Sequence, residues 1–279
     1  MRRFILCFLA ILAPTALAAQ DCGGEAACDL DDGVYHIETP DEGQAGAGPY
    51  PAVMFLHGWG GSGQGQMKNR GLIRGMLARG YAVIAPTGQP RGQGRRGARW
   101  NSYLSPDLRD DAAFLLEVAE DAAERFGVDR ERILLAGFSG GGMMTWRVAC
   151  DAPESFAAYA PVAGLLWRPL PEDCAGPVRM LHTHGWVDPV VPIEGRTVGG
   201  GVLTQADLFA GLDLIRRANG CARDDPDDYP MGERFWRRVW TDCAPGSALE
   251  FALHAGGHAT PSGWSAMALD WFEAQQTIH

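Results

Sequence analysis

Ile133-Leu134-Leu135-Ala136-Gly137-Phe138-Ser139-Gly140-Gly141-Gly142-Met143-Met144 begins as an unbroken apolar run and passes through G-x-S-x-G into a segment able to be helical. A strand that turns sharply into a helix holds its serine on a strained corner with the hydroxyl exposed. Glycines belong at such a corner because a Cβ would collide with the neighbouring strand or helix. The free N–H groups of the following helix favour negative charge at the same place. Ser139 is therefore the candidate nucleophile. Glycine is abundant, 37 of 279 residues, so the pentapeptide needs distant partners before it carries weight.

The surroundings set the architecture. Val34–Glu38, Ala52–Leu56, Tyr81–Ala85, Phe156–Val162, Val178–His182 and Ala248–His254 read as further strands. Several lack polar alternation, as strands buried on both faces do. Between them, Met67–Arg79, Thr204–Asn219 and Gly263–Gln275 carry helical spacing. Another helix is expected to open at Ser105-Pro106-Asp107, with serine as cap and proline in the first turn, and to end at Gly127. Strands alternating with helices predict an α/β-hydrolase type of α/β fold, with a mainly parallel sheet covered on both faces. No repeat or linker divides the chain, so residues 20–279 are expected to form one catalytic domain.

Composition narrows the function. Met1-Arg2-Arg3, the apolar run Phe4–Leu12 and Ala16-Leu17-Ala18 read as a secretory signal over residues 1–19. Its loss leaves 22 basic against 34 acidic residues, or −12, which argues against a nucleic-acid partner. No later stretch is long and apolar enough to span a bilayer. The expected location is secreted or periplasmic, with no membrane association and no inferred protein partner. Cys22, Cys28, Cys150, Cys174, Cys221 and Cys243 remain, an even number that reads as disulfides in an exported chain. Several connectivities are possible; neighbours paired in order is the expectation. The spacings do not suit zinc, and neither a metal nor a cofactor is expected.

A serine nucleophile needs a base and an acid to orient that base, in the chain order Ser, Asp or Glu, His for this kind of sheet. Asp188 follows one strand in His184-Gly185-Trp186-Val187-Asp188-Pro189, and His258 follows the last in His254-Ala255-Gly256-Gly257-His258. Asp207, Asp213 and the Asp224–Asp228 group rank below Asp188, since they fall on a helix or in a polar loop. His254 reads as packed at a strand end. An oxyanion hole needs two converging N–H donors; Gly140 and Trp59, the latter in His57-Gly58-Trp59-Gly60-Gly61, are the candidates, with His57 bracing the loop. Trp59, Trp100, Trp186 and Trp264 adjoin these motifs and are candidate substrate-pocket residues. Arg91, Arg95, Arg96 and Arg99 share one loop and read first as a solvated surface, with carboxylate attraction as the alternative.

From Val34 onward the chain resembles the exported polyhydroxybutyrate depolymerases and the feruloyl and acetylxylan esterases, a carbohydrate esterase family 1-like group. The likeness rests on Leu56-His57-Gly58, Trp100-Asn101, Gly137-Phe138-Ser139-Gly140-Gly141, His184-Gly185 with Asp188 and Val191-Pro192, Asn219-Gly220-Cys221 and Gly256-Gly257-His258. It implies a Ser-His-Asp esterase acting on hydroxyalkanoate oligomers or similar short-chain esters, or alternatively on plant-wall feruloyl or acetyl groups. An exported peptidase and a non-catalytic binding protein rank lower. Two positions depart from the group: Trp59 stands where a cysteine is common, and Ala259-Thr260-Pro261 follows His258 in place of a tryptophan-bearing segment. His258 lies 21 residues before the end, so no polymer-adhesion domain is expected, nor rapid attack on solid polymer.

Overall fold

The computed structural model describes residues 22–276 apart from 42, 44, 45, 47 and 93; the expected signal segment lies outside the described residues. Nine strands form one sheet. In chain order they are β1 (Cys28–Leu30), β2 (Gly33–Glu38), β3 (Tyr50–Leu56), β4 (Ala82–Pro86), β7 (Val128–Phe138), β8 (Ala158–Val162), β9 (Arg179–Gly185), β12 (Trp236–Trp240) and β13 (Ala248–His254). Two short ribbons stand apart, β5 (Gln89–Pro90) with β6 (Ala98–Arg99) and β10 (Thr197–Val198) with β11 (Leu203–Thr204). The spatial order is β1-β2-β4-β3-β7-β8-β9-β13-β12. From β4 to β13 every pairing is parallel, and antiparallel strands close both edges. The chain thus has the α/β-hydrolase fold.

Alternate side chains of each central strand enter different layers. Ala52, Met54 and Leu56 of β3 join one core cluster, with residues of α3 (Asp111–Phe126), α4 (Gly140–Asp151) and α5 (Leu208–Ala218). Val53 and Phe55 join the other, with α1 (Gly63–Met67), α2 (Arg70–Leu77) and α6 (Trp264–Gln276). Each fully buried Leu, Ile, Phe or Met contributes about 1.5–3 kcal/mol, which is why the central strands are apolar on both faces.

Several boundaries differ from the sequence reading for identifiable reasons. The helix expected at Ser105 starts at Asp111, with Asp110 as the cap accepting from Ala113 N–H. Asn101 is the cause: its Oδ1 accepts from Ser105 N–H, and its Nδ2 donates to the Ser105 and Arg109 carbonyls. Side-chain bonds of this kind offer the backbone an alternative to helix. The Met67–Arg79 helix is two helices, broken at Lys68 and Asn69. Thr204 lies in a ribbon, and α5 opens behind Asp207, whose carboxylate accepts from Ala210 N–H. Strand β12 carries no strand signature because the adjacent Arg237 and Arg238 interrupt its apolar residues on a half-covered edge.

All three disulfides pair neighbours in order: Cys22–Cys28, Cys150–Cys174 and Cys221–Cys243. The last closes a loop in which Asp227 accepts from the Thr241 and Asp242 amides, so part of the acidic group is used in a turn. Asn219, just before Cys221, is buried and bonds both backbone groups of Val178 at the entry to β9.

Candidate active site

Ser139 occupies the tight turn between β7 and α4, with φ 57° and ψ −118°. A left-handed φ in a non-glycine residue is strained and persists only where the surroundings enforce it. They do so here by close packing. A Cβ at Gly137 would strike Gly141, one at Gly141 would strike the Leu56 carbonyl, and one at Gly142 would lie 2.6 Å from the Val162 oxygen. The glycines of the motif thus let α4 sit directly against the ends of β3 and β8.

The loops after β9 and β13 bring the other two residues to this corner. His258 Nε2 lies 2.9 Å from Ser139 Oγ, and His258 Nδ1 lies 2.7 Å from Asp188 Oδ2. Asp188 Oδ1 accepts from the Val190 and Val191 amides at 2.8 and 2.9 Å. Burial opposes the charge on Asp188, but the His258 bond and the two amides outweigh it and hold the carboxyl below its ordinary range. An ionised carboxylate is acceptor-only. His258 Nδ1 therefore carries a proton toward Asp188, leaving Nε2 to accept from the serine hydroxyl. Phe138 supports the imidazole, ring centroids 4.8 Å apart.

Behind Asp188 runs a buried chain that motif reading did not find. Trp146 Nε1 donates to His182 Nδ1 at 3.0 Å, His182 Nε2 meets His184 Nδ1 at 3.0 Å, and His184 Nε2 meets the Val191 carbonyl at 2.8 Å. Indole is donor-only and a carbonyl acceptor-only, so the ends fix both histidines as neutral Nε2–H tautomers. Burial depresses both imidazoles accordingly. The chain links α4, which follows Ser139, to the loop that carries Asp188. The His-x-His spacing on one strand was a visible signal; only the fold adds Trp146.

The opposite wall is the loop after β3. A Cβ at Gly140 would lie 3.3 Å from Trp59 N, and one at Gly58 would lie 3.4 Å from Ser139 Cβ. The Trp59 amide donates to no described residue, and the Gly140 amide opens α4, where N–H groups lack helical partners. His57 braces this loop: Nδ1–H donates to the Gly58 carbonyl and Nε2 accepts from Gly88 N–H. Burial pushes this imidazole down as well.

The four tryptophans divide. Trp59 and Trp186 are 54% and 62% exposed. Trp100 and Trp264 are 3% and 1% exposed, which corrects their assignment as pocket residues. Trp100 donates to the His57 carbonyl, and Trp264 packs on Phe55 while donating to Thr183 Oγ1. Both are core residues whose single N–H found a buried acceptor. His254 is packed at its strand end, as its position suggests. No group of three or more potential metal ligands occurs among the described residues.

The sequence profile of the prolyl oligopeptidase family matches residues 72–167, which include Ser139 but neither Asp188 nor His258. "Putative esterase NocK" of Nocardia uniformis subsp. tsuyamanensis is 34% identical over 76% of this chain, which spans 66% of that protein's length. Feruloyl esterase C of Emericella nidulans is 29% identical, covering 80% of this chain and 75% of the relative. Among solved structures, an acetyl xylan esterase from Aspergillus awamori superposes with a TM-score of 0.63 at 16% identity, covering 88% of this chain and 97% of its own.

Proposed function

On the premise that the chain belongs to the esterases of the α/β-hydrolase fold, we propose that it hydrolyses hydroxyalkanoate oligomers or similar short-chain carboxylic esters through Ser139, His258 and Asp188. The observation that carries this reading is the unbroken hydrogen-bond line from Ser139 Oγ through His258 to Asp188. Ser139 Oγ attacks the ester carbonyl as His258 Nε2 takes the hydroxyl proton. Asp188 stabilises the imidazolium. The carbonyl oxygen gains the negative charge and rests on the Trp59 and Gly140 amides. Collapse expels the alcohol, which receives its proton from His258. Water, deprotonated by the same imidazole, then attacks the acyl-enzyme; the carboxylic acid leaves and Ser139 regains its proton.

A second reading, removal of feruloyl or acetyl groups from plant-wall polysaccharide, draws support from the names of the relatives and from the exposed indoles of Trp59 and Trp186. The three disulfides support an oxidising location outside the cytoplasm. No helix among the described residues is long and apolar enough to cross a membrane.

The test has two parts. A fluorophosphonate should label the wild type at Ser139 and leave Ser139→Ala unlabelled; equal labelling of the two would remove Ser139 from the nucleophile role. Turnover of p-nitrophenyl acyl esters, hydroxybutyrate oligomers and methyl ferulate then separates the two substrate readings. A kcat/KM for methyl ferulate well above that for the oligomers would favour the second.

A further inference from the structure

The arginine-bearing ribbon beside Trp59 is bonded directly to the loop that carries the Trp59 amide. Gly60 N–H donates to the Ala98 carbonyl at 2.8 Å, and Ala98 N–H donates to the Gly61 carbonyl at 3.0 Å. The approach is close enough that a Cβ at Gly97 would strike Gly60, and Gly97 has φ +77°. The ribbon β5–β6 and the loop after β3 therefore form one unit at the edge of the Ser139 corner.

Arg91 lies on that unit with its guanidinium carbon 4.6 Å from the centre of the exposed Trp59 ring. Its Nη1 donates to the Arg96 carbonyl at 3.4 Å, and its buried Nε has no hydrogen-bond partner among the described residues. Arg95 and Arg96 stand exposed on the same turn. In a chain with ten more acidic than basic residues, arginines generally find carboxylates, as Arg70, Arg79 and Arg109 do here. Among the described residues, Arg91, Arg95, Arg96 and Arg99 have none within 4.0 Å. Stacking on an indole orients a guanidinium and leaves its N–H edge available for a planar anion.

We propose that Arg91, seated on Trp59, binds a free carboxylate carried by the ester substrate, so that the site favours anionic esters over neutral ones. The inference rests on the Ser139 esterase reading and names its substrate class. The arginines of the turn add a local positive field on an otherwise acidic molecule, which draws such anions toward the site. A hydroxyacid oligomer, with its terminal carboxylate, is one ester of this class.

Matched substrates test it. Mono-p-nitrophenyl adipate and the p-nitrophenyl ester of adipamic acid place a carboxylate or an amide on the acyl side. The 3-hydroxybutyrate dimer and its terminal amide do the same on the alcohol side. In at least one pair the wild-type kcat/KM should favour the acid by about tenfold at low salt, the scale of a charge-assisted contact. High salt should shrink that preference. Arg91→Gln should bring the acid-to-amide ratio close to one, and Arg91→Lys should keep part of it. Ratios near one in both wild-type pairs, or a ratio unchanged in Arg91→Gln, would overturn the proposal.

Adipate binding to Ser139→Ala, measured by calorimetry, supplies an arm that needs no turnover. Binding lost in Ser139→Ala/Arg91→Gln supports the subsite, and binding equal in the two proteins overturns it. Fluorophosphonate labelling that is equal in wild type and Ser139→Ala would refute the Ser139 reading, while the adipate result would still decide on the arginine.

Discussion

Replacing His182 by leucine severs the buried chain behind Asp188 at its middle. Two polar groups lose their partners at once: the Trp146 indole N–H and His184 Nδ1, both beyond the reach of water. Each orphaned buried group costs about 1–3 kcal/mol, so the substitution should cost about 2–6 kcal/mol even though leucine packs well. Trp146→Phe orphans only His182 Nδ1 and should lose about 1–3 kcal/mol from hydrogen bonding, plus a smaller packing loss. The double variant has no indole to orphan, so its cost should fall below the sum of the single costs by about 1 kcal/mol or more. Urea unfolding near pH 7.5, followed by fluorescence and far-UV circular dichroism with an unchanged m-value, measures all three. A His182→Leu cost under about 0.5 kcal/mol, or strict additivity in the double variant, would refute the chain of bonds described here.

Acid should destabilise the protein before its carboxylates titrate. Burial pushes the His57, His182 and His184 imidazoles down, so as pH falls through about 6.5 the unfolded chain takes up their protons before the folded one does. Stability should be level above that point and fall below it, by up to about 1.4 kcal/mol per pH unit for each histidine. Asp111, pushed up by burial, opposes this with one proton; urea midpoints that stay flat from about pH 7.5 to 5.5 would contradict the assignment. Ser139→Ala and His258→Ala should each lower kcat by about 10⁴-fold or more, and Asp188→Asn somewhat less, measured on purified protein of unchanged circular dichroism. Gly141→Ala gains about 1 kcal/mol in helix propensity, but its methyl meets the Leu56 and His57 carbonyls; net destabilisation in urea and lowered esterase activity are expected. Reduction of Cys150–Cys174, which closes a 24-residue separation, should cost about 3 kcal/mol, and thiol titration of the oxidised chain lacking residues 1–19, and so Cys7, should find no free cysteine.

The order of strands and helices was legible because period and apolarity are local properties. β3 and the second half of β7 announce themselves as apolar runs of buried strands, and the glycines of G-x-S-x-G mark a corner no other residue tolerates. Ser139, Asp188 and His258 were legible because each follows such a run, in an order the parallel sheet dictates. The disulfides were legible as neighbours in sequence. Other features depend on which atoms meet across the fold, and no window of sequence contains that. Trp100 and Trp264 border the site motifs yet point into the core, where the His57 carbonyl and Thr183 Oγ1 accept their N–H groups. Asn101 diverts a helix start through bonds to residues four and eight positions ahead. Trp146 and His182, 36 positions apart, meet only because α4 packs over β7 and β8, next to which β9 lies. The sequence by itself determined the strand-turn-helix corner and the order of the three candidate catalytic residues, since backbone sterics and periodicity are written residue by residue. Tertiary structure alone decided which polar groups are buried together, because a hydrogen bond in the core is set by packing between elements and not by spacing along the chain.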